Sequence, residues 1–150
     1  MRNALLAMYG FFCSTTATLA SGGISCSQTE GPHSVEINAA VTRGMGSPVY
    51  DLTGSVEAVD AAAPADLAKT EFSREHLAQY WLDGQDLRMV LYRERGPEAP
   101  HGYAELTIRA KADEEDGYSG DWELSIFDGT GDQPEGKSWM FGGKANCTVE

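Results

Sequence analysis

The stretch QYWLDGQDLRMVLY, from Gln79 to Tyr92, places two apolar-rich runs on either side of Asp83-Gly84. Asp-Gly tolerates the positive φ angles of a tight hairpin, so the stretch predicts two antiparallel strands. A helix-start signal at Ser73, in SREHLAQY, competes with this reading, but the hairpin signal is the stronger. A two-residue turn pairs Leu82 with Gln85, Tyr80 with Leu87 and Ala78 with Met89. The opposite face then collects Leu77, Trp81, Val90 and Tyr92, which makes the hairpin apolar on both sides. Those four residues are the candidate binding patch. The competing structural role is a satellite core covered by the Ala-rich segment around Pro64, DAAAPADLAK, itself read as a connection or a short helix.

Outward from the hairpin, the chain repeats one pattern. In YAELTIRAK, Ala104, Leu106, Ile108 and Ala110 fall on one side and Glu105, Thr107, Arg109 and Lys111 on the other. DWELSIF sends Trp122, Leu124 and Ile126 inward, and VEINAAVT does the same with Val35, Ile37, Ala39 and Val41. Period-2 alternation bounded by Gly, Pro and Asp is the pattern of antiparallel strands with one buried face. Strands are expected near 35–42, 49–58, 75–82, 85–95, 103–111, 119–127 and 137–149. The fold class is therefore all-β, an antiparallel meander forming a small barrel or sandwich, because a sheet of this length must curl to bury its apolar side.

With 150 residues, 41% of them hydrophobic, the chain suits one domain. Its first twenty residues, MRNALLAMYGFFCSTTATLA, carry Arg2, no acid, an apolar run from Ala4 to Cys13 and small residues at Thr18 and Ala20. That layout is a secretory signal peptide, too short to span a bilayer, cleaved after Ala20 to leave a β domain over 21–150. A lipid anchor on Cys26 is disfavoured because Gly-Ile-Ser precedes it. Cleavage would remove Cys13 and leave Cys26 and Cys147, which in an oxidising compartment form a disulfide joining the two ends. The expected localisation is exported, periplasmic or secreted.

Loss of residues 1–20 would also shift the net charge from -12 to -13. Nucleic acid and anionic membrane surfaces demand clustered Lys and Arg, and here the basic residues are scattered. The acidity serves solubility or a cationic protein partner. GDQPEGKS, Gly131 to Ser138, fits the phosphate-loop pattern, yet no nucleotide is expected. A phosphate loop must open a helix, whereas Trp139, Phe141, Gly143, Ala145, Cys147 and Val149 alternate as a strand. Asp132 and Glu135 would crowd the phosphate, and Pro134 lacks an amide.

His33, His76 and His101 show no zinc-ligand spacing, and no cofactor is implied. A calcium ion would want oxygen ligands such as Asp83, Asp86, Asp113, Glu115 and Asp116, which the meander brings to one end, but they lack EF-hand spacing and a solvated acidic turn is the favoured reading. No nucleophile elbow, Cys-His pair or paired carboxylate motif is present. The functional expectation is a small exported, non-enzymatic binding or inhibitory β module acting by surface contact. The alternatives are a barrel binding a small apolar ligand, for which Ala39, Ala78, Ala104 and Ala110 would leave room, and a hydrolase with dispersed carboxylates. In size, disulfide and acidity the chain is similar in type to exported β-barrel inhibitors of cationic hydrolases such as lysozymes, without their loop motifs and with no residue carried over.

Overall fold

The computed structural model describes residues 21–42, 46–113, 117–130 and 135–150. The expected signal peptide, residues 1–20, lies outside them. Nine strands form a single antiparallel sheet: β1 (Ser21–Gln28), β2 (Ser34–Thr42), β3 (Val49–Glu57), β4 (Lys69–Ser73), β5 (Leu77–Leu82), β6 (Asp86–Glu94), β7 (Gly102–Ala112), β8 (Gly117–Asp128) and β9 (Lys137–Val149). Their order in the sheet is β4-β3-β2-β1-β9-β8-β7-β6-β5, so strands consecutive in sequence are paired except β4 and β5, which form the two edges, and β9 returns to pair with β1 in the middle. The sheet curls into a nearly closed barrel. The expected alternation holds: Val35, Ile37, Leu106, Ile108, Trp122, Leu124 and Ile126 all point inward and are buried.

Cys26 and Cys147 lie directly opposite each other on β1 and β9 and form a disulfide, with an S–S distance of 2.07 Å. The first strand, β1, was not among the expected ones. Its sequence, SGGISCSQ, is too rich in Ser and Gly to be strand-forming on its own, and pairing with both β2 and β9 makes it one.

The strand expected at 75–82 begins at Leu77, and β4, which was not among the expected strands, precedes it. Lys69–Ser73 pairs with β3, Leu77–Leu82 pairs with β6, and a 3-10 turn at Arg74–His76 switches between them. The helix signal at Ser73 yields only that turn, in which the Ser73 amide donates to His76 Nδ1 at 2.9 Å. Arginines stitch the resulting seam. Arg93 donates to the Glu71 carbonyl at 2.6 Å, and Arg74 donates to the Val49 carbonyl at 2.9 Å.

The Ala-rich segment does contain a short helix, α1 (Ala65–Ala68), which buries Leu67 and Ala68. It closes the end of the barrel where β6 and β8 stop and leaves the outer face of the hairpin uncovered. Arg95, with a 9% exposed side chain, fastens it there through Asp66 and Asp128, each at 2.6 Å. Burial alone would raise the Asp128 carboxyl, but hydrogen bonds from Arg95 and Thr130 outweigh it and hold the pKa at about 2.

Candidate functional site

The hairpin that decides the fold also carries the candidate site. Its turn is wider than two residues. The Asp83 amide donates to the Asp86 carbonyl at 3.3 Å, and Asp83 Oδ1 accepts the amides of Gln85 and Asp86 at 3.0 and 2.9 Å. Gly84 takes a φ of 83° inside this turn, a value that favours glycine. The side-chain turn adds two residues to the loop, so Leu82 pairs with Leu87 and Tyr80 with Met89, two positions from the expected register. A shift of two keeps every side chain on its face.

A bulge between Leu77 and Gln79 does change a face. Leu77 turns inward, pairs with Leu91 and packs against the core, while Ala78 becomes exposed instead of lining the interior. Of the four patch residues, Trp81, Val90 and Tyr92 therefore share the outer surface and Leu77 leaves it. Ala39, Ala104 and Ala110 do face inward, but Leu87, Met89, Leu91, Leu106 and Ile108 fill the space around them with no exposed surface.

The outer faces of β5, β6 and β7 form a groove of about 910 Å³ lined by Gln79, Trp81, Arg88, Val90, Thr107 and Arg109, with Asp83 and Asp86 at its turn end. The register explains this set. Trp81 is opposite Arg88, which is opposite Arg109; one step along, Gln79, Val90 and Thr107 form the next row. Trp81 is 58% exposed. Its indole N–H donates to Asp83 Oδ2 at 3.0 Å, so the ring is anchored at its edge while its face is open. The backbone amides of Asp86 and Gln85, together with that indole, hold the Asp83 carboxyl below the usual range. A carboxylate so engaged is unsuited to donating a proton near neutral pH.

Arg88 reaches Asp86 only at 3.7 Å, and among the described residues Arg109 has no carboxylate within ion-pair distance. The neighbouring acid, Asp121, pairs instead with Lys144 at 2.6 Å. Two like charges placed directly across a ladder are unfavourable to the fold.

Further along the same face Tyr92, Tyr103 and Phe127 line up, with successive ring centroids 5.3 and 5.6 Å apart. Removal from water and a hydrogen bond to Glu94 push the Tyr92 hydroxyl up to about 12. Periodicity placed Tyr92 on this face, but the row exists only because β7 and β8 bring Tyr103 and Phe127 beside it.

Of the acidic residues considered for calcium, Asp83 and Asp86 sit in the hairpin turn and Asp113 lies close by, since the Ala112 amide donates to the Gln85 carbonyl at 2.9 Å. Asp113 itself accepts the Gly117 amide at 3.1 Å. Glu115 and Asp116 lie outside the described residues. Among the described residues no three His, Cys, Asp or Glu side chains gather as metal ligands, and no helix is long and apolar enough to cross a membrane. In the phosphate-loop match, residues 131–134 are likewise outside the description, while Lys137 and Ser138 open strand β9.

The chain matches no protein-family model, no curated protein and no solved structure.

Proposed function

We propose that this protein is a small exported, non-enzymatic binding or inhibitory module that acts by surface contact through the outer face of β5, β6 and β7. One observation carries the reading: Trp81 offers an open indole face in a groove that no other part of the described chain fills, and Asp83 holds it there. Anchored aromatic side chains with exposed faces are the residues on which binding energy concentrates. The disulfide supports export, since such bonds persist in oxidising compartments. An interior apolar ligand is less favoured because large side chains fill the barrel. A cationic partner draws no support from this groove, where Arg88 and Arg109 balance Asp83 and Asp86.

The test is capture from the exported fraction of the native cells with mature protein beginning at Ser21, wild type beside Trp81→Ala. Loss of an exposed side chain should leave unfolding within about 0.5 kcal/mol of wild type. The expected result is a partner held stoichiometrically by wild type and lost from the variant. Equal capture by both, or a Trp81→Ala protein that fails to fold, would refute the reading. Amino-terminal sequencing of the native protein tests export separately, with Ser21 expected as the first residue.

A further inference from the structure

We propose that the groove recognises a carboxylate carried on a six-membered ring, the ring lying on Trp81 and the carboxylate bridging Arg88 and Arg109. The inference rests on the surface-binding reading above and names the chemistry of its ligand.

The observations converge on this class from both sides of the groove. With its N–H committed to Asp83, the Trp81 indole has only its face to offer, and that face suits a flat, C–H-rich ring. Directly opposite Trp81 on the next strand stands Arg88, and opposite Arg88 on the strand beyond stands Arg109. Facing residues on adjacent strands lie roughly 5 Å apart, so ring and carboxylate of one small unit span the distance from indole to guanidinium. Guanidinium groups are forked donors that match a carboxylate with two parallel hydrogen bonds.

Arg109 has no acidic partner within ion-pair distance among the described residues, and Arg88 has only the 3.7 Å contact with Asp86, in a chain whose acids outnumber its bases by 23 to 11. The other outward arginines near the seam are employed: Arg93 and Arg74 cap carbonyls, and Arg95 joins two aspartates. An anion placed between them removes their mutual repulsion, and the repulsion in the empty groove becomes binding energy. Distant acids do not prevent this, because at physiological salt their charge is screened beyond about 8 Å. Of the two near ones, Asp83 is engaged by the Trp81 indole and two backbone amides, and a bound carboxylate competes with Asp86 for Arg88.

Two sources supply such a group, a uronate saccharide or an aryl carboxylate, and calorimetric titration separates them. The probes are tetra-galacturonate, its fully methyl-esterified form and benzoate, each with wild type, Arg109→Gln, Arg88→Gln and Trp81→Ala. The expected result is that one acid binds wild type, that each glutamine variant weakens it about tenfold, and that the ester binds at least tenfold more weakly. Binding of the tetramer assigns a saccharide, and binding of benzoate alone assigns an aryl acid. Relief of like-charge repulsion should leave the melting temperature of Arg109→Gln unchanged or raised by about 1 °C, which a purely structural arginine would not do. Equal binding of acid and ester, glutamine variants that bind like wild type, or no binding of either acid would overturn the proposal. In any of those cases, capture of the native partner that still depends on Trp81 would leave the surface-binding reading standing. If the capture too is independent of Trp81, both fall.

Discussion

Gly120 illustrates how a single residue sets the approach of two strands. It lies on β8 opposite Ala110, and a Cβ at this position would be driven into the Arg109 carbonyl oxygen and against the Ala110 Cα. Both obstacles are backbone, so the sheet itself would have to move. Gly120→Ala is expected to cost about 2 kcal/mol, within the range for overpacking, read as a lower urea midpoint at unchanged slope. An unaltered midpoint would mean that β7 and β8 part easily there. The expected strand at 119–127 contained this glycine, but nothing in the sequence marked how closely β7 would approach it. Trp81 was easier to place, because period 2 puts it on the face away from Tyr80 and Leu82 whatever the register. Leu77, on the same parity, was misplaced by the bulge between it and Gln79, which no local residue announces.

Among the elements, α1 depends on the ion network that joins it to the barrel. Arg95 is held between Asp66 and Asp128, and Thr130 donates to the second Asp128 oxygen at 2.7 Å. The Asp128 pKa falls from 3.8 to about 2 on folding. The unfolded chain therefore takes up this proton more readily, and the stabilisation is complete above the unfolded value and disappears as pH falls through the folded one. Such a shift corresponds to about 2 kcal/mol. Unfolding free energy should accordingly drop between about pH 4 and pH 2. Asp128→Asn should be less stable at neutral pH and show a shallower decline over that window in urea titrations. An identical slope in both proteins would remove Asp128 from the account. The acid sensitivity was not legible in the sequence: Asp66, Arg95 and Asp128 lie far apart along the chain, and only the shared end of the barrel joins them.

For the molecule as a whole, the continuity of the sheet depends on the pairing of β1 with β9, which places Cys26 against Cys147 across a separation of 121 residues. In the chain-entropy model a loop of that length contributes about 5 kcal/mol, comparable with the whole stability of a small domain. Replacing both cysteines with Ser should lower the unfolding free energy by up to that amount in denaturant titration. A loss below about 1 kcal/mol would show that the nine-stranded sheet closes without the bond.

The all-β class, the inward residues of β2, β7, β8 and β9, and the disulfide pairing were readable in the chain, because alternation is a local property and two cysteines in the expected mature segment leave one intramolecular pairing. The choice of barrel over sandwich, the strand status of β1 and β4, the 3-10 turn at Arg74–His76 and the groove were not. Each arises where residues distant in sequence compete for the same backbone partners or meet across strands. The row from Trp81 through Arg88 to Arg109 spans three strands, and its chemistry came into being only when their registers were set.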